Sequence, residues 1–94
     1  RFPEVRRDLA LLVQHSVQFA ELRNLAFRTA PKLVRDVALF DVYEGKGVPE
    51  GMKSYAISFI LQSAEKTLTD ADIDGCMNKL VKRYKEEFNA ELRS

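Results

Sequence analysis

Leu39-Phe40-Asp41-Val42-Tyr43-Glu44-Gly45-Lys46-Gly47-Val48-Pro49-Glu50-Gly51-Met52-Lys53-Ser54 decides how this chain folds. Its first five residues alternate in polarity as a strand does, and the glycines and Pro49 that follow force a turn. A second alternating run, Ser54 to Gln62, comes at once, so the two segments read as a β-hairpin with a long, ordered tip. That pairing brings Asp41, Tyr43 and Ser54 close together on neighbouring strands. Because side chains alternate along a strand, the two faces of the hairpin must carry different chemistry.

Working outward, strand character extends back to Leu33, and Pro31 stops what precedes it. From Phe19 to Ala30 the residues Phe19, Leu22, Leu25, Ala26 and Thr29 or Ala30 recur at three- and four-residue steps, which predicts an amphipathic helix. Arg7 to Val13 is a short apolar run that suits a buried strand better than a helix of that length. Beyond the hairpin, Thr69 is placed to cap a second helix, with Asp72 completing a capping box and Asp70 and Asp74 favouring its positive end. Its core stripe reads Ile73, Cys76 or Met77, Leu80, Val81, Tyr84 and Phe88, while Lys79, Lys82, Arg83 and Lys85 form a solvated face. Asn89 suits a left-handed cap, and residues 90–93 are long enough for a last strand. The order strand, helix, strand, strand, helix, strand predicts an α+β fold: a ferredoxin-like βαββαβ sandwich, with four antiparallel strands and two helices on one face.

Ninety-four residues make a single domain, 1–94, and its opening Arg1-Phe2-Pro3 reads as a fragment of a longer polypeptide. Fifteen Lys and Arg stand against fourteen Asp and Glu, so bulk charge does not announce a nucleic-acid binder. No apolar run approaches a membrane span, and the expected location is cytoplasmic, with no membrane partner. Cys76 cannot form an internal disulfide and reads as a small buried hydrophobe. His15 has no second ligand at metal spacing and reads as a surface turn residue, so no metal is expected.

If Leu9, Leu11, Val13, Ala38, Phe40, Val42, Tyr55, Ile57, Phe59 and Leu61 point at the helices, the opposite set is Asp8, Ala10, Leu12, Leu39, Asp41, Tyr43, Ser54, Ala56 and Ser58. That uncovered set is small and polar around one aromatic ring. It offers a platform on which a base stacks while its edge is hydrogen-bonded. A carboxylate only accepts, so Asp41 repels phosphate but can take the N–H donors of guanine, with Ser54 beside it. On residue types alone, a solvated sheet face with no ligand is an equal alternative.

Arg7-Asp8-Leu9-Ala10, Leu39 to Gly45, Pro49-Glu50-Gly51, Lys53-Ser54, residues 66–70 and Leu92-Arg93 together settle that choice, because they resemble the signature of the ferredoxin-fold anticodon-binding domain. This is the C-terminal domain of bacterial-type phenylalanine–tRNA ligase beta subunits. The resemblance runs over essentially the whole chain, departing at Tyr55, where an aliphatic residue is more usual, and at Asn89, where Gly is. It implies a non-catalytic, RNA-binding module that grips the anticodon stem-loop of phenylalanine tRNA while aminoacylation proceeds on the alpha subunit. By the same resemblance, Tyr43 and Ala10 form a stacking cleft for the first anticodon base, guanine, and Asp41 and Ser54 bond its edge. No cofactor is expected in this domain, the parent enzyme using ATP and magnesium; the remaining partners are the rest of the beta subunit and the alpha subunit. The role of Arg7, either a local pair or a phosphate contact, stays open.

Other uses of the fold are harder to fit. A small phosphatase needs an anion-cradling loop after the first strand, and Gln14-His15-Ser16-Val17-Gln18 has neither Gly nor Arg. A metallochaperone needs two cysteines. A ligand-sensing or oligomerisation module without RNA binding remains as the alternative.

Overall fold

In a computed structural model of the chain, residues 2–93 are described. Arg1 and Ser94, the bounds of the single domain read from the sequence, lie outside them. The elements run β1 (Val5–Gln14), α1 (Phe19–Thr29), β2 (Val34–Tyr43), β3 (Met52–Leu61), α2 (Asp70–Phe88) and β4 (Glu91–Leu92). The sheet order is β2-β3-β1-β4, and every neighbouring pair is antiparallel. This is the ferredoxin-like α+β arrangement. β1 is longer than its apolar run, because β3 supplies an unbroken partner from Leu61 opposite Val5 to Met52 opposite Gln14.

Both helices bury their apolar stripes on one side of the sheet. Leu22, Leu25 and Ala26 of α1 and Ile73, Cys76, Leu80 and Tyr84 of α2 join Leu11, Val13, Tyr55, Ile57, Phe59 and Leu61 in one core. Buried Tyr55 fits the core because its hydroxyl donates to the Val17 carbonyl at 3.0 Å. Helix α2 starts with the expected capping box: Asp72 N–H donates to Thr69 Oγ1 at 3.1 Å, and Thr69 N–H donates to the Asp72 carboxylate at 2.9 Å. It ends at Asn89 in the left-handed conformation, φ 53°. The basic face of α2 is partly self-paired, Arg83 bonding both Glu86 and Glu87.

One part of the predicted facing is wrong. A β-bulge between Leu39 and Asp41 inserts an extra residue opposite Ala56, so period two breaks inside β2. Leu39, expected outside, pairs with Ile57 and packs against the core; Ala38, expected inside, pairs with Ser58 and is exposed. Phe40, also expected under the helices, is 53% exposed with its ring beside Arg6 of the open side. Val42 keeps its inward register opposite Tyr55 but lies at the edge, largely uncovered.

Candidate functional site

The uncovered face is a grid set by strand register. Across β2, β3 and β1, one row holds Tyr43, Ser54 and Leu12, the next Asp41, Ala56 and Ala10, and the next Ala38, Ser58 and Asp8. A further row holds Asp36, Ile60 and Arg6. β4 adds Glu91 beside Leu12, and the Arg93 N–H donates to the Ala10 carbonyl at 2.8 Å.

All four predicted site residues fall in two adjacent rows of this face. Tyr43 sits directly opposite Ser54, and Asp41 is two residues along the same strand on the same side. Ala10 lies two strands from Asp41, about 10 Å across the backbone, with the small Ala56 as the floor between them. Asp41 is exposed and takes part in no ion pair among the described residues, so its acceptor oxygens are free. Ser54 differs from expectation in one respect. It is on the right face but only 3% exposed, sunk in the central strand between Tyr43 and Leu12.

The hairpin tip fixes the Tyr43 ring. Its hydroxyl donates to the Lys46 carbonyl at 2.7 Å, which requires the chain to double back at once after the strand. Gly45 makes that possible with φ +121°, a conformation that strains any residue with a Cβ. At the foot of the tip, His15 Nε2 lies 3.0 Å from Glu44 Oε1, tying the loop after β1 to the end of β2.

Two residues of the face were not foreseen. The guanidinium carbon of Arg93 lies 4.8 Å from the centre of the Tyr43 ring, so the side chain reaches across the sheet from just beyond the end of β4 to β2. Alternation from Glu91 could have put Arg93 outward, but its reach to Tyr43 depends on a strand order that local pattern does not contain. Phe40 is the other, hidden by the bulge. The Arg6 guanidinium lies 5.5 Å from its ring centre and donates to both oxygens of Asp8, at 2.9 and 3.3 Å. Arg6, not Arg7, is therefore the partner of Asp8; Arg7 donates to the Arg6 carbonyl at 2.9 Å, from the opposite parity of β1.

Among the described residues, no group of three or more His, Cys, Asp or Glu could hold a metal ion, and no helix is long and apolar enough to cross a membrane. Cys76 is buried in the core, where desolvation pushes its thiol pKa up, away from reactivity.

Fold and face together define an α+β module whose helices cover one side of its sheet and leave the other side open. The model of the ferredoxin-fold anticodon binding domain matches residues 1–93, and the chain belongs to that family. It is 54% identical, over 99% of its length, to the phenylalanine–tRNA ligase beta subunit of Bacteroides thetaiotaomicron, and 53% identical to those of Bacteroides fragilis and Porphyromonas gingivalis. The chain spans 11% of the length of each of these relatives.

Proposed function

We propose that this domain is the tRNA-binding module of a phenylalanine–tRNA ligase beta subunit, holding the anticodon stem-loop of phenylalanine tRNA on its open face. On this reading the domain performs no chemistry. Aminoacylation, with its ATP and magnesium, takes place in the remainder of a cytoplasmic enzyme that includes an alpha subunit.

The observation that carries the reading is the shared face of Asp41, Tyr43, Ser54 and Ala10, in two adjacent rows around a floor of Ala56. A guanine lying over Ala56 is flanked by the Tyr43 ring, and its N–H edge meets the unpaired carboxylate of Asp41. The Ser54 hydroxyl lies below, reachable once the base has entered. Entry displaces the Arg93 guanidinium from the Tyr43 ring, which exchanges one π contact for another and frees a cation to meet phosphate.

The test is a titration of the parent ligase with a phenylalanine anticodon hairpin, and with the same hairpin carrying adenine at its first anticodon position. Asp41→Ala should weaken binding of the guanine hairpin by about 1 to 3 kcal/mol and have much less effect on the adenine one. Equal losses on both hairpins would refute base readout by Asp41.

A further inference from the structure

We propose that Phe40, held beside the Arg6 guanidinium, is a second stacking platform on the open face, taking an unpaired RNA base next to the one at Asp41 and Tyr43. The inference rests on the anticodon-loop reading above.

The bulge is its first support. Simple alternation would turn Phe40 under the helices with Leu9, Leu11 and Ile57, yet the extra residue between Leu39 and Asp41 puts its ring outside. There it is a large exposed hydrophobic group on a face whose neighbouring positions are Ala56 and Ser58 on β3 and Ala38 on β2. Beside these small neighbours Phe40 stays 53% exposed. A bulge that re-aims one side chain is a common device beside binding sites.

The second support is chemical. The Arg6 guanidinium, 5.5 Å from the ring centre, is oriented by two hydrogen bonds to Asp8. A phenyl ring and a guanidinium are both surfaces on which bases stack. Since both oxygens of Asp8 already accept from Arg6, what the platform chiefly offers a base is its π-face. It should therefore grip any base.

The third is position. Phe40 adjoins Asp41 and stands three residues from Tyr43 on one strand, about 10 Å along it, a step that a splayed neighbouring nucleotide can make. The two platforms are thus continuous on one face, Tyr43 with the specific carboxylate and Phe40 without.

Hairpin binding by the intact ligase, with substitutions at Phe40, tests this. Phe40→Ala and Phe40→Leu should each weaken the hairpin about 5- to 100-fold, whereas Phe40→Tyr should bind as the unsubstituted protein does. The loss should vanish when one of the two nucleotides flanking the first anticodon base is made abasic, and persist when that nucleotide carries any of the four bases. Leucine keeps the apolar volume, so full binding by Phe40→Leu would mean that packing, not stacking, is the role of Phe40, and would overturn the proposal. A loss unchanged by both flanking abasic sites would do the same, pointing to a contact with another part of the ligase. If Asp41→Ala discriminates guanine from adenine while the Phe40 variants bind normally, only this inference fails. If the unsubstituted ligase does not distinguish the hairpins, the anticodon reading fails with it.

Discussion

Three tyrosines each donate a hydroxyl to a backbone carbonyl, and their surroundings give them different work. Tyr43 bonds Lys46 on the open face, Tyr55 bonds Val17 under α1, and Tyr84 bonds Leu22 at 2.8 Å from the middle of the core. Burial of Tyr84 pushes its phenol pKa well above the usual 10. The Leu22 carbonyl lies inside α1 and keeps its helical donor, so Tyr84→Phe should lower stability by only about 1 kcal/mol in urea unfolding. The same burial has a pH signature. A phenol whose pKa rises on folding contributes stability that is intact below the unfolded value, about 10, and is lost as the pH climbs towards the folded one. The unsubstituted domain should therefore weaken progressively above about pH 10, and Tyr84→Phe should flatten that decline; an identical alkaline limb in both would contradict it. The sequence announces Tyr84 as a core residue by helical spacing, but its partner 62 residues away is invisible to any local pattern.

At the scale of elements, α2 was legible and β2 only half so. The start of α2 is written in adjacent letters, since Thr69 and Asp72 satisfy each other's backbone N–H groups within one turn. The Thr69 backbone N–H, and then Lys66 with its ammonium 3.0 Å away, hold the Asp72 carboxyl at about 2 instead of its ordinary 3.8. Thr69→Ala should cost about 1 kcal/mol of stability, measured by denaturant midpoint at neutral pH. A carboxyl depressed on folding stabilises above its unfolded pKa and stops doing so as the pH falls through the folded one, here between about 4 and 2. Asp72→Asn should remove that part of the acid limb. In β2 no comparable letters mark the bulge: Leu39-Phe40 is an apolar pair that alternation can assign either way, and the choice is made by register with β3, which tertiary packing sets. One extra residue therefore exchanged Ala38 and Leu39 and brought Phe40 outside. It left Asp41 and Tyr43 where simple alternation had put them.

For the molecule as a whole, the asymmetry of a sheet with helices on one side was readable because six elements in that order admit few arrangements, and the resemblance narrowed them to one. What could not be read was contact across the sheet. Arg93 meets Tyr43 only because β4 and β2 flank the same two central strands, an adjacency that appears after folding. On the proposed anticodon-binding function, this arrangement bears on how the domain would hold RNA. Net charge is only +1; on the open face Arg6 is engaged by Asp8, while Arg93 over the Tyr43 ring and the exposed Lys46 of the hairpin tip are two cations placed to meet phosphates. Two released counterions on a single-stranded loop correspond to a slope of about −1.4 in log affinity against log salt. Affinity should therefore come mainly from stacking and from the Asp41 contact, with salt a modest modulator. Hairpin titrations of the domain across a salt series test this, and Arg93→Gln should reduce the slope by about 0.7. A slope several times steeper, unaltered in Arg93→Gln, would mean that a phosphate grip elsewhere on the surface, not the open sheet, supplies the binding.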